Sequence, residues 1–189
     1  NNLASAGPLV GGSATVNNGD ASESWFLVQG ATLNINNAQA LAIDADRSSV
    51  NINRGSSTLQ ISGSDNSTIN IIGATVTGTD GNSGLLLVSS KGVVDNSIVS
   101  GEQFGASAVR FFGTTDGSTL QISGNSTLTG VDAGAFASSR SLIDVTDSTL
   151  TGTAATGYGL WLQSADAIAR NSTIVGSQNG VFIELDVTG

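Results

Sequence analysis

The hexapeptide Asn125-Ser126-Thr127-Leu128-Thr129-Gly130 returns almost unchanged at 147–152 and 171–176. Each copy alternates polar and aliphatic residues and ends in Gly, which is typical of a short strand followed by a turn. Looser copies begin at Ala74 and Asn96. Their aliphatic positions, residues 76, 98, 128, 150 and 174, lie 22, 30, 22 and 24 residues apart. A period of this length predicts a repeat architecture, and the 30-residue interval indicates a loop insertion near residues 112–117.

A related, shorter repeat fills the first third of the chain. A small residue, Ser or Thr, an aliphatic residue and Asn recur, with the aliphatic residue at positions 16, 33, 50 and 69. Beyond residue 73 two further apolar series run in phase with the hexapeptide, so that each full period holds three short strands. One of them follows Gly in most copies and comprises residues 85–87, 109–111, 135–137, 160–162 and 181–183; the other comprises residues 93–94, 120–122, 142–145 and 167–168.

A unit of three short strands cannot bury a core alone and must stack on copies of itself. Parallel pairing of successive units, about 4.8 Å apart, predicts an all-β fold, a right-handed single-stranded parallel β-helix of about eight coils of 17–25 residues. The prediction is one domain over 1–189, with shorter coils in 1–72 and longer three-strand coils in 73–189. The alternative is a β-sandwich, which does not predict three phased series.

Position in the coil then assigns roles to the side chains. The aliphatic residues 16, 33, 50 and 69 are expected to form one inward stack, and residues 76, 98, 128, 150 and 174 another. Ser, Thr, Gly and Asn are expected at turns and at outward strand positions, because Gly and Asn tolerate positive φ. A ladder of hydrogen-bonded amides is expected along the neighbouring asparagines, Asn17, Asn34, Asn51 and Asn70.

The composition excludes several function classes. The 189 residues contain no Cys and no His, which excludes disulfides, cysteine-ligated zinc and Ser-His-Asp triads. A net charge of −9 with only six basic residues argues against nucleic-acid binding. Gly, Ser, Thr and Asn make up 87 residues, but Leu, Ile, Val and Phe still number 50, enough for a folded core. No cofactor and no metal are expected.

Acidic residues are the only candidates for catalysis. Asp44, Asp46 and Arg47 lie together, and enzymes that cleave sugars use paired carboxylates. Asp44 and Asp46 have the same strand parity, but catalysis requires carboxylates that meet across neighbouring coils. Solvated turn carboxylates are the simpler interpretation for the other candidates, with a calcium site as a further alternative: Asp65, Asp95, Asp147 and Asp166. Three glycosylation sequons, at 66–68, 125–127 and 171–173, coincide with the repeat and are interpreted as turns.

The series that follows Gly carries the sharpest functional signal. Its first and third residues are expected to point inward, so the middle residues, spaced 24, 26, 25 and 21 apart, would form one outward column. An exposed aromatic stripe usually marks a surface that contacts a sugar ring or a protein. The alternatives are that a loop at 100–107 or 112–118 covers the stripe, or that the parity is wrong by one residue. The predicted binding residues are Leu86, Arg110, Phe136, Trp161 and Phe182.

The hexapeptide, followed by polar residues and then by Gly-aliphatic-x-aliphatic (150–162 and 174–183), resembles the pertactin-type passenger domains of autotransporters. The resemblance covers most of the chain and is firmest over 66–189. It implies a β-helix exported through the periplasm of a Gram-negative bacterium and displayed on the cell surface by a C-terminal β-barrel outside this chain. The absence of Cys fits passage through an oxidising periplasm. An Arg-Gly-Asp triplet and the Gly-Asp-Ser-Gly motif of protease passengers are both missing, so protease activity is not carried over.

Two functions follow as expectations. The first is a surface-displayed adhesin or virulence-associated rod, the N-terminal part of a longer passenger, that contacts host cells, matrix or sister cells through a receptor, a glycan or self-association. The second is a carbohydrate-active β-helix, such as a polysaccharide lyase or hydrolase or a phage-tail-like glycan-binding protein.

Overall fold

The computed structural model describes residues 8–18, 20–21, 23–111 and 116–185, and in these residues the chain is all-β, without a helix. Alternation of buried and exposed side chains explains why the segments are strands, as in Leu142–Thr146 and Thr68–Ile72. The strands are β1 (Leu9–Val10), β2 (Ser13–Asn17), β3 (Asp20–Ala21), β4 (Trp25–Val28), β5 (Thr32–Asn36), β6 (Gln39–Asp46), β7 (Ser49–Ile52), β8 (Ser57–Ser64), β9 (Thr68–Ile72), β10 (Thr75–Thr77), β11 (Leu85–Val88), β12 (Lys91–Asp95), β13 (Ile98–Gly101), β14 (Phe104–Val109), β15 (Thr119–Ser123), β16 (Thr127–Gly130), β17 (Ala133–Ser138), β18 (Leu142–Thr146), β19 (Thr149–Gly152), β20 (Tyr158–Gln163), β21 (Asp166–Arg170), β22 (Thr173–Gly176) and β23 (Asn179–Glu184).

The strands form two long parallel sheets. One has eight strands in the order β2-β5-β7-β9-β12-β15-β18-β21, and the other has fifteen. From β9 onward each strand pairs in parallel with the strand three places later, so every repeat adds one strand to each of three stacks. This connectivity is consistent with a parallel β-solenoid.

The fifteen-stranded sheet changes character near residue 73. Before it, the eight-residue strands β6 and β8 pair along almost their full length. Strand β8 then pairs at its beginning with β10 and at its end with β11. One long strand per repeat is thereby replaced by two short ones, and the repeats after this point have three strands.

The core lies between the sheets and consists of aliphatic side chains stacked in register. Leu33, Val50 and Ile69 are aligned and fully buried, as predicted. Val16 is not in this column, since it is aligned with Ile35, and Ala14 occupies the place next to Leu33. Ala14 lies 19 residues before Leu33, whereas the predicted member, Val16, lies 17 residues before it. The motif that contains Val16 is therefore displaced by two residues along its strand.

The second predicted column also needs one correction. Val76 is aligned with Val99, Leu128, Leu150 and Ile174, and not with Ile98. Ile98 stands where the other copies have Thr, and its side chain points outward with 56% exposure. Two adjacent β-branched residues left the parity of this strand ambiguous, and burial of Val99 decides it.

An amide ladder runs along the outer face of the eight-stranded sheet, as predicted for three of its four members. Nδ2 of Asn51 donates to Oδ1 of Asn34 at 2.8 Å, and Nδ2 of Asn70 donates to Oδ1 of Asn51 at 2.8 Å. Asn17 belongs instead to a second ladder, in which it accepts from Asn36 at 2.7 Å and Asn36 accepts from Asn53 at 2.6 Å. The shift of Asn17 has the same origin as that of Val16.

Serine has a role that differs from the predicted one. At the corners before β7, β9, β12, β15 and β18 a serine is buried, where turns and outward positions were expected. Oγ of Ser67 accepts from the backbone N–H of Ser48 at 3.1 Å and donates to the carbonyl of Ser64 at 2.7 Å. From the second serine onward, each hydroxyl accepts from the backbone N–H of the serine one repeat earlier, so the hydroxyls link successive repeats. The ladder comprises Ser48, Ser67, Ser90, Ser118 and Ser141.

The sequon asparagines confirm the interpretation as turns. Asn66, Asn125 and Asn171 have φ values of 67°, 62° and 49°, a left-handed conformation that Asn tolerates. The serine that follows is fully buried in two of the three copies, Ser67 and Ser126.

Candidate functional site

The acidic residues of β6 do not meet carboxylates at the aligned positions of neighbouring strands. Asp44 and Asp46 both lie on the outer face of β6, as parity predicted, but their neighbours on adjacent strands are not carboxylates. Asp44 lies between Phe26 and Ser62, and Asp46 is aligned with Ser64 and hydrogen-bonded to Arg47 at 3.0 Å. Partial burial of the Asp44 carboxylate raises its pKa above the ordinary value of 3.8. No group of three potential metal ligands occurs among the residues that the structure describes.

The remaining acidic residues divide into two classes. Asp65 and Asp147 adopt positive φ, 49° and 50°, at turns, as predicted. Asp95 and Asp166 lie at the last position of β12 and the first position of β21, so the turn prediction is wrong for both. Asp95 accepts a hydrogen bond from Ser123 on the next repeat at 2.8 Å, and it therefore supports strand stacking.

The lateral stripe is brought together in part. Phe136, Trp161 and Phe182 are aligned on β17, β20 and β23. The residues that flank Phe136 and Trp161 are buried, which fits the predicted parity: Ala135, Ala137, Leu160 and Leu162. The residues that flank Phe182 were also predicted to point inward, but Val181 and Ile183 are 46% and 60% exposed in the last described strand. The three outward rings are half-buried.

The register differs from the prediction at β14. Ser107, and not Arg110, is aligned with Leu86 on one side and with Phe136 on the other. Arg110 follows the end of β14, three residues beyond Ser107. The prediction placed the large residues Val109 and Phe111 inward on either side of Arg110. The inward positions at this level are instead filled by the small residues Ala106 and Ala108. Leu86 is therefore separated from the aromatic rings by the buried Ser107.

Five aromatic rings form one contiguous group, which we call the aromatic array: Phe104, Phe136, Tyr158, Trp161 and Phe182. Phe104 and Phe136 are stacked with ring centroids 4.8 Å apart, and Tyr158 and Phe182 are stacked at 4.6 Å. Trp161 links the two pairs through edge contacts, at 5.2 Å to Phe136 and 5.7 Å to Tyr158. These are the favourable offset and edge-to-face geometries for aromatic pairs.

Two members of the array were not predicted. Phe104 and Tyr158 begin β14 and β20, three residues before the outward column, and alternation alone would point them to the opposite face. Each is followed by a glycine at the corner, Gly105 and Gly159. The signal that could have found them is the recurring aromatic-Gly pair, which is matched by Ala133-Gly134 on the intervening strand.

The corner glycines let two backbones approach closely beneath the array. A Cβ on Gly134 would lie 2.4 Å from the backbone nitrogen of Thr151 and 2.9 Å from the carbonyl oxygen of Gly159. Neither atom belongs to a flexible side chain, so only glycine fits. This corner turns Phe104 and Tyr158 outward, at the starts of β14 and β20, and places their rings beside the outward column of Phe136, Trp161 and Phe182.

The rings of the array largely cover one another. The segment 100–107, which was considered as a covering loop, is mostly strand, at the end of β13 and the start of β14. Of the other candidate loop, 112–118, and of the predicted insertion at 112–117, residues 112–115 lie outside the described residues. Phe104 is only 8% exposed because Phe136 stacks on it, and the other four rings remain half-buried.

Polar groups are few around the rings. Tyr158 donates its hydroxyl proton to Oε1 of Gln178 at 3.0 Å, and Gln163 donates to Glu184 at 3.3 Å. Nε1 of Trp161 is buried and has no hydrogen-bond partner in the described part of the chain. The array is therefore an apolar band with a thin polar border, and none of its five members carries a carboxylate.

No family model, no curated protein and no solved structure matches this chain. Within the described ranges, no helix is both long and apolar enough to cross a membrane.

Proposed function

We propose that this chain is an adhesive, surface-displayed rod: a right-handed parallel β-helix of the pertactin-like autotransporter passenger type that contacts host cells, matrix or sister cells through the aromatic array. The array carries the proposal. Its rings extend over four successive strands, a distance of roughly 14 Å at the usual strand spacing. Outward aromatic groups of this extent usually mark contact surfaces.

The register of the strands favours a contact role over a catalytic one. The aligned neighbours of Asp44 are Phe26 and Ser62, and Asp46 is aligned with Ser64, so neither carboxylate faces another one across neighbouring strands. The stacked sheets hold the rings on strands rather than on loops, which fixes their spacing. A rigid aromatic surface loses little conformational entropy when it binds.

A test must leave the rings in place, because removing them also removes contacts within the array. The chain contains no cysteine, so a single introduced cysteine can be labelled selectively with a bulky polyethylene glycol maleimide. Gln178→Cys places the label beside Tyr158, and Thr77→Cys places it at an exposed position of β10, a strand that carries no member of the array. Each labelled variant is compared with its unlabelled form.

Beads coated with each protein are assayed for binding to cultured epithelial cells, to matrix-coated plates and to one another. We expect the label at position 178 to abolish binding in at least one assay and the label at position 77 to have no effect. Binding that is unaffected by the label at 178 would exclude the array as the contact surface. Release of reducing ends from a polysaccharide panel would instead favour the carbohydrate-active alternative.

A further inference from the structure

A second surface of the molecule, on the eight-stranded sheet rather than on the fifteen-stranded sheet that carries the array, surrounds the only lysine. Lys91 begins β12 on the outer face of the eight-stranded sheet and is exposed. It is aligned with Thr68 on one neighbouring strand and with Thr119 on the other. The ammonium group therefore projects from between two threonines on strands about 4.8 Å away on either side.

Two cavities adjoin at this lysine. One, of about 360 Å³, is lined by polar residues of three repeats, and the other, of about 380 Å³, continues along the sheet towards Val93 and Gln121. Lys91, Thr68 and Thr119 line both. Each volume lies within the range of small-ligand sites, about 300 to 1,000 Å³. The further lining residues of the first cavity are Asn66, Ser89, Ser90, Asp116 and Gly117.

The wall that carries Asp116 is held in place by the repeats beneath it. Oγ of Ser89 donates to the carbonyl oxygen of Asp116 at 3.3 Å. Oγ of Ser118 is buried and donates to the carbonyl oxygens of Val109 and Leu87 at 2.6 and 3.0 Å. A Cβ on Gly117 would lie 2.5 Å from the carbonyl oxygen of Arg140, so this glycine packs directly against the next repeat. The residues on the Asp116 side of the cavity are thus hydrogen-bonded to or packed against neighbouring repeats.

The charge at the site is unusual for this chain. The protein has 15 acidic and 6 basic residues, and in the described ranges the ion pairs engage Arg47 and Arg170. Lys91 makes no ion pair there, and it is the basic residue that lines these cavities. Its three N–H donors and the hydroxyls around it offer both donors and acceptors. A ligand that matches them carries one negative charge and several hydroxyl groups.

We propose that this cleft binds an acidic sugar residue, a hexuronate or similar carboxylated monosaccharide unit. Lys91 binds the sugar carboxylate, and Thr68 and Thr119 exchange hydrogen bonds with its hydroxyls. The site lies on the eight-stranded sheet and does not depend on the aromatic array. Its failure would leave the proposed adhesive function untouched, and the reverse also holds.

The experiment is a titration of the isotopically labelled chain with sodium glucuronate, followed by backbone amide chemical shifts, with glucose and sodium acetate as matched probes. We expect saturable shifts at Lys91, Thr68 and Thr119 with glucuronate, and binding at least tenfold weaker for glucose, which lacks the charge, and for acetate, which lacks the hydroxyls. Lys91→Gln is expected to weaken glucuronate binding at least tenfold. Arg54→Gln, which changes the net charge equally, is expected to leave it unchanged.

Four results would overturn the proposal. Equal affinity for glucose would remove the role of the ammonium, and equal affinity for acetate would show that the hydroxyl lining is not used. Equal losses in Lys91→Gln and Arg54→Gln would reduce the effect to general electrostatics. The absence of saturable shifts at these three residues would exclude the site itself. Because Lys91 is exposed, its replacement leaves the core intact, and the amide spectrum of the variant verifies this directly.

Discussion

Two regions of the molecule, the eight-stranded sheet of the first half and strands β14 and β17 of the fifteen-stranded sheet, bury apolar side chains on different faces. In the first half the inward positions are mostly large, such as Ile35, Ile52 and Ile71, and the outer face of the eight-stranded sheet carries hydrogen-bonded amides. In the repeats of β14 and β17 the inward positions shrink to Ala106, Ala108, Ala135 and Ala137, and the outer face carries the aromatic array.

The comparison shows that apolar burial in a stacked repeat need not lie inside the sheets. An alanine buries much less surface than a leucine, so the repeats of β14 and β17 gain less from their inward side chains on the fifteen-stranded sheet. Phe104 and Phe136 supply burial on the outside of the same strands. An outward column can therefore be part of the stabilising structure and at the same time a contact surface.

The sharpest test of this comparison is the loss of one buried outer ring. Phe104→Ala should lower the free energy of unfolding by about 4 kcal/mol, as for a core phenylalanine, because Phe104 is only 8% exposed. Ile52→Ala, an inward truncation in the first half, is the matched variant and should cost about 3 kcal/mol. Urea denaturation followed by circular dichroism measures both. A cost for Phe104→Ala below about 1 kcal/mol would show that the outer rings do not replace the core.

The corner beneath the array is the next largest effect. Gly134→Ala should destabilise the protein by about 2 to 3 kcal/mol, because the added methyl group meets the backbone of Thr151 and Gly159. Gly12→Ala, where the nearest atom to the new Cβ is 4.0 Å away, is the control and should change stability little. Thermal denaturation of the two variants side by side measures the difference. Similar melting temperatures would mean that the corner can open without cost.

The amide ladder should contribute less than the rings. Asn51 donates to Asn34 and accepts from Asn70, so Asn51→Ala removes two hydrogen bonds at a half-buried site, with an expected cost of about 1 to 2 kcal/mol. Asn17→Ala removes the single bond from Asn36 at an exposed site and should cost less than Asn51→Ala. Urea midpoints provide the measurement. A stability cost for Asn51→Ala as large as that for Phe104→Ala would contradict the expected order, in which the outer rings contribute more than the amide ladder.

The smallest expected effect is the electrostatic contribution of Asp44. This residue lies in the same outward column as Leu86, two strands earlier. The pKa of Asp44 is raised above 3.8 by burial, so the folded state binds its proton more tightly than the unfolded state does. Stability contributed by this group is present at acidic pH and falls as the pH rises through the raised pKa. Asp44→Asn should therefore raise the melting temperature slightly at pH 7 and not at pH 3. An equal shift at both pH values would assign the effect to packing.

Much of this fold can be predicted from the sequence, because repeat spacing and alternation report directly on which side chains are buried. The inward Leu85, Leu87, Leu160 and Leu162 and the outward Phe136, Trp161 and Phe182 follow from period and parity. Register is harder. Arg110 was assigned to the stripe because large flanking residues look like core, whereas alanines fill that level and Ser107 faces outward.

Two other features depend on corners, which alternation does not describe. Phe104 and Tyr158 join the array only because a glycine follows each of them and turns the chain, so a count by twos places them on the wrong face. The buried serines are hydrogen-bonded to the backbone of the preceding repeat, and these bonds form only once the repeats are stacked. Both become apparent when residues are compared between repeats rather than along one strand.

The central claim, that the aromatic array is the contact surface, is tested most directly by one measurement: binding of beads coated with Gln178→Cys protein, labelled and unlabelled, to cells, matrix and one another. The label sits beside Tyr158 without removing any ring. We predict that labelling abolishes binding in at least one assay, whereas labelling Thr77→Cys on β10 leaves binding at the unlabelled level. Equal binding of the labelled and unlabelled Gln178→Cys protein in all three assays would contradict the claim.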